Sequence, residues 1–135
     1  MQIQSEFTVS KWEEQPLTTF PQENPLVRAS VIYEVTGEIN GKLYAEYLMQ
    51  YSNFDQENPH NSKATYLGYM LFEGKINDKS GTFVIEEEGE YTPSGPESTL
   101  SIKPHSGTSE LANIAGNGYY RLQGDKMVIS FEINS

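Results

Sequence analysis

Cysteine is absent from all 135 residues, which excludes disulfides, thiolate nucleophiles and thiolate metal sites. Basic residues are scarce. Nine Lys and Arg stand against nineteen Asp and Glu, a formal net charge of −10. A surface of that sign repels phosphate backbones and anionic head groups, so neither nucleic acid nor a membrane is expected as a partner. The two histidines, His60 and His105, have no carboxylate at a fixed offset, so no metal site and no other cofactor is expected. A Gly-x-Ser-x-Gly elbow is also missing, which argues against Ser/His hydrolysis. No apolar run approaches the ~20 residues of a membrane-spanning helix. The stretch Met1–Phe7 lacks both the basic and the apolar region of a signal peptide, so a cytoplasmic location is expected.

Helical periodicity is nearly absent too, and period-two alternation takes its place. Ile3, Ser5, Phe7 and Val9 alternate with polar residues in a first strand ending near Trp12. Residues 14–25 contain three prolines and read as a long crossing loop. Further strands are expected at 27–39, 42–53, 64–76, 81–91, 99–103, 118–122 and 127–133, joined mostly by short turns. Eight strands in that order predict a single all-β domain: a closed antiparallel meander barrel, because closure removes exposed edges.

Two hairpins give an expected register. Asn40-Gly41, read as a two-residue turn, sets Val35 opposite Glu46 and Tyr33 opposite Leu48, and carries Glu46 and Leu48 inside. A four-residue turn at 77–80 sets Phe72 opposite Ile85 and Met70 opposite Glu87, and carries Glu87 inside. Within "EEEGE", Glu86, Glu88 and Glu90 then point outward. So do Leu67, Tyr69 and Leu71, an apolar patch of the kind that marks a subunit interface and predicts a homo-oligomer.

The run "HSGTSELANIAGNGYY", residues 105–120, is rich in glycine, yet a phosphate loop needs a strand before its glycines and a helix after them. Here about one helical turn precedes Gly116 and Gly118 and a strand follows, with Thr108 or Ser109 as the expected cap. This run resembles the Gly-Thr-Gly-x-(Leu/Phe) … Gly-x-Gly segment of the allene-oxide-cyclase-like barrels, to which plant dirigent proteins belong. Ser109 stands where that segment usually has glycine. The whole chain resembles a family of small uncharacterised bacterial proteins with that barrel. The matching pieces are Phe7-x-Val9-x-x-Trp12, Arg28-Ala29-Ser30-Val31, Gly37-x-Ile39-x-Gly41, Ala45-Glu46-Tyr47-Leu48-Met49-x-Tyr51, Gly81-Thr82-Phe83-Val84 and the Ser106–Gly118 run.

The expected function is binding of a small, largely apolar ligand inside the barrel, lined by Tyr33, Glu46, Leu48, Met70, Phe72 and Glu87. A carboxyl group in an apolar interior has its charged form disfavoured, which makes Glu46 and Glu87 the candidate catalytic acids. Two alternatives stand beside binding. One is a cyclase or isomerase acting on a flexible substrate, as the resemblance to cyclase barrels implies. The other is an interaction protein whose barrel is filled by its own side chains.

Overall fold

Alternating strands each have one apolar face, and eight of them bury those faces together by curling into a tube. The structure, a computed structural model describing residues 1–17, 26–53, 55, 57, 58 and 61–134, is such a closed barrel. Its strands are β1 (Gln2–Pro16), β2 (Leu26–Gly37), β3 (Ile39–Asn53), β4 (Lys63–Ile76), β5 (Lys79–Thr92), β6 (Gly95–Ile102), β7 (Ala115–Gln123) and β8 (Lys126–Asn134). Every strand pairs antiparallel with the next, and β8 returns to β1 with Phe131 opposite Ile3. No helix is long and apolar enough to cross a membrane among these residues. His60 and most of the Pro-rich crossing segment lie outside the described residues.

The register of β2 with β3 differs from expectation. Val35 lies opposite Gly41, not Glu46, because the chain reverses around Glu38 and takes Ile39, Asn40 and Gly41 into β3. The displacement is odd, so it turns every β3 side chain to the other face. Leu43, Ala45, Tyr47 and Met49 go in, while Glu46 and Leu48 point out. The physical reason is the charge on the rejected face. An Asn40-Gly41 turn would have brought Lys42 and Glu46 into the core, and an isolated buried charge costs far more than a favourable turn contributes. Ile39 is instead buried, and the Ser5 hydroxyl accepts its N–H at 2.8 Å and donates to its carbonyl at 3.0 Å.

The β4–β5 hairpin also has a tighter turn than expected. Ile76 pairs with Lys79 across Asn77-Asp78, so Phe72 meets Phe83 and Glu87 meets Gly68. This displacement is even, and the inward set survives: Met70, Phe72, Phe83, Ile85 and Glu87 are buried. Leu67, Tyr69 and Leu71 are exposed on the outer wall, where Leu48 lies opposite Leu67.

The two ends of the barrel differ. At one end Gly41, Gly74 and Gly81 form a row across β3, β4 and β5. A Cβ on Gly74 would lie 2.2 Å from the Asn40 carbonyl oxygen and 2.8 Å from the Gly41 Cα, so these backbones can approach only as glycines. A 3-10 turn at Ser109–Leu111 follows, and buried Leu111 and Ile114 join Ile3, Ile39, Ile76 and Ile133 in the core beneath it. Thr108 occupies the N-cap position, yet its hydroxyl makes no cap bond. It accepts the Thr82 N–H at 3.0 Å and so ties this turn to β5. Exposed His105 sits in the same connection. This end is plugged, and the other is not.

Candidate functional site

The open end carries a cavity of about 400 Å³ inside the barrel. Its walls include Phe7, Val9, Trp12 and Glu14 from β1, Met49 and Tyr51 from β3, Tyr91 from β5, Pro96 from β6 and Met127 from β8. Tyr33, Tyr47, Tyr66 and Tyr120 line it as buried residues at its inner end, and buried Ser62 completes the lining. Trp12 and Glu14 reach it because β1 bulges: Val9 pairs with Tyr33, but Lys11 pairs with Ile32, leaving Ser10 extra. One additional residue inverts the alternation beyond it, so Trp12 falls opposite Val31 and Glu14 opposite Ala29, both inward positions. At the rim the Tyr51 hydroxyl donates to Glu14 at 2.6 Å.

Beneath the tyrosines lies Glu87, 1% exposed. The Tyr47 hydroxyl is 2.7 Å from its Oε1 and the Ser98 hydroxyl 2.8 Å from its Oε2. The network continues through Tyr33–Tyr47 at 3.0 Å, Tyr66–Ser98 at 2.6 Å and Tyr66–Tyr120 at 2.9 Å. Each hydroxyl comes from a different strand, β2, β3, β4, β6 and β7, and all face the carboxyl borne by β5. Beside them stand Phe7 of β1 and Ile129 of β8, while Ser5, opposite Ile129, is bonded to the Ile39 backbone. Phe7 meets the rings of Tyr33 and Tyr120 edge-on at 5.3 and 5.2 Å, which locks two of the phenols in place.

Burial pushes the Glu87 carboxyl above the usual carboxylate range, against the pull of hydrogen bonds from Tyr120, Tyr47 and Ser98. Burial also raises the phenols: Tyr66 to about 12, and Tyr33, Tyr47 and Tyr120 in the same direction. None of the nine Lys and Arg side chains is buried.

The expected site residues thus separate. Tyr33 lines the cavity, and Glu87 lies under its floor. Met70 and Phe72 are inside but belong to the packed half, where the Phe72 and Phe83 rings meet at a tilt with 5.0 Å between their centres. Glu46 and Leu48 are corrected: both sit on the outer wall. The Glu46 side chain is 49% exposed, and the Ser30 hydroxyl and the Arg28 guanidinium hold its carboxyl below the usual range. A solvated carboxylate of this kind is no candidate acid. Tyr47, Tyr66 and Tyr120 were missed, although the inward parity of β3 and β4 could have found the first two. Nothing in the sequence marks the bulge that aims Trp12 and Glu14.

A larger depression of about 820 Å³ lies on the outside between Leu48, Leu67, Glu88, Thr99, Tyr119 and Arg121. It faces solvent broadly, and its only buried lining residues, Tyr66 and Ser98, engage their hydroxyls in the interior network, so the interior cavity is the stronger site. Among the described residues no three His, Asp or Glu side chains converge to hold a metal ion.

The described residues thus form a closed eight-stranded barrel, plugged at one end and hollow at the other above a buried acid–tyrosine network. Residues 3–133 match a family of proteins of unknown function, DUF3224, and the chain belongs to that family. A crystal structure of a DUF3224 protein with unknown function from Shewanella oneidensis MR-1 is similar, at 21% identity and a TM-score of 0.80. That similarity covers 99% of this chain and 96% of the other, and it shows a shared fold. No match is found among curated proteins.

Proposed function

We propose that this protein binds one small, largely apolar molecule in the open half of its barrel. The observation that carries the reading is the one-ended cavity. Its volume falls within the ~300–1,000 Å³ usual for small-molecule sites, and its lining is mostly aromatic and aliphatic with a few convergent hydroxyls. The resemblance of residues 105–120 to the allene-oxide-cyclase-like barrels fits this reading, since the plug that run forms leaves a single entrance. A cyclase or isomerase needs an acid that reaches its substrate. Glu87 does not line the cavity, and its two oxygens are engaged by Tyr47 and Ser98. Binding is therefore preferred over catalysis.

Trp12 is the single tryptophan and lines the cavity, which provides an intrinsic reporter. N-phenyl-1-naphthylamine, a neutral apolar probe, is expected to quench it saturably at one equivalent. Met49→Trp, which fills the cavity, should abolish the enhanced emission of the bound probe. Linear, unsaturable quenching, or undiminished probe emission with Met49→Trp, would remove the binding reading. For the outer wall we infer self-association through Leu67, Tyr69 and Leu71, extended by Leu48. Leu71→Asp should then give monomers in sedimentation, and a monomeric wild-type protein ends that inference.

A further inference from the structure

The cavity wall carries charge of one sign only. Among the described residues Glu14 is its single charged member, and none of the nine Lys and Arg side chains lines it. The bulge at Ser10 creates this asymmetry. Had the alternation run on past Val9, Lys11 and Glu13 would face inward together. Instead they lie on the outer wall, paired at 3.2 Å, while Trp12 and Glu14 turn in. Glu14 itself makes no ion pair among the described residues. The Tyr51 hydroxyl donates to its Oε1 at 2.6 Å, which fixes the carboxylate at the mouth and uses one of its about four acceptor positions. Burial, and then the Glu14 carboxylate, hold the Tyr51 phenol above its ordinary range, so that proton stays on the bond.

Aromatic rings share this end with the carboxylate. Exposed Trp12 stands two residues before Glu14 on the same face of β1. Tyr51 and Tyr91 flank buried Ala64 across β3, β4 and β5, with only that small side chain between them in the row. Ring faces attract cations, most strongly where an anion stands beside them. We propose that the ligand is an amine: its ammonium group sits at the mouth on Glu14 and against these rings, and its apolar body fills the barrel. The inference rests on the cavity being the binding site. A net charge of −10 draws such a cation toward the protein. A ligand carboxylate would meet Glu14 and find no cation in the wall.

Three matched probes, 4-phenylbutylamine, 4-phenyl-1-butanol and 4-phenylbutyrate, test this at pH 7 through amide NMR shifts of the intact protein. The alcohol tests the cavity alone. The amine is expected to bind about three- to thirtyfold more tightly than the alcohol, the combined worth of one exposed ion pair and one cation–π contact. The butyrate should bind more weakly than the alcohol. Glu14→Gln keeps an acceptor for Tyr51 but removes the charge, and should lower the amine's affinity about twofold or more without changing the alcohol's. Glu13→Gln removes the same charge from the outer wall and should leave the amine unaffected. An amine within about threefold of the alcohol overturns the cation assignment while leaving the cavity reading intact. So does a preference that Glu14→Gln leaves untouched, or that Glu13→Gln lowers equally, since overall charge then accounts for it. Butyrate binding as tightly as the alcohol also overturns it. Absence of any shift with all three removes the cavity reading and the proposal with it.

Discussion

Replacing Glu87 by Gln separates the carboxyl's proton from its shape. Glutamine keeps the size and the two-sided hydrogen bonding of the neutral acid but does not titrate. Burial raises the folded-state pKa of Glu87 above its unfolded value, so between those two values the folded protein holds a proton that the unfolded chain has released. Stability from this group is therefore complete below the unfolded pKa of about 4.3 and is lost as pH rises through the folded pKa. Within that window the loss runs at up to about 1.4 kcal/mol per pH unit, from one proton and 2.303RT. The phenols facing it, Tyr33, Tyr47, Tyr66 and Tyr120, stay protonated throughout because burial raises them as well. Urea unfolding of wild type and Glu87→Gln at pH 4, 5, 6 and 7 gives the comparison, since the other eighteen acids are common to both. The difference should shift progressively in favour of Gln as pH rises above about 4.3. A difference that stays flat from pH 4 to 7 would show that the carboxyl ionises as in water, and the reasoning from burial would fail.

Spectrophotometric titration at 295 nm should show Tyr33, Tyr47, Tyr66 and Tyr120 resisting ionisation above pH 10, with stability falling as pH rises past that point; early ionisation of all nine tyrosines in the folded state would contradict their burial. Leu111→Ala in the plug should destabilise by about 2–4 kcal/mol in denaturant unfolding, and an unchanged midpoint would mean the plug is not packed. Glu46→Gln on the outer wall should change stability by less than about 1 kcal/mol, since its partner Arg28 is exposed too. A larger loss would place Glu46 back in a structural role.

Much of the barrel was legible because alternation is local: Ile3, Phe7, Phe83, Ile85 and Glu87 declare their faces from the residues beside them. The β4–β5 register differs from the turn-based expectation by an even step, which keeps Glu87 inside. The β2–β3 register differs from it by an odd step, which turns Glu46 and Leu48 outward. Turn chemistry at Asn40-Gly41 pointed one way and the burial of Ile39, Leu43 and Tyr47 pointed the other. The apolar face won, because several buried side chains at about 1.5–3 kcal/mol each outweigh one favourable turn.

By itself, then, the order of residues determined eight strands, their closure and the inward path of Glu87, all consequences of a period of two and short connections. Only the tertiary structure decided that Tyr33, Tyr47, Tyr66, Ser98 and Tyr120 converge on that carboxyl, and that a bulge at Ser10 turns Trp12 and Glu14 into the cavity. Convergence depends on how eight strands slide past one another, and each slide is set by partners far away in the chain.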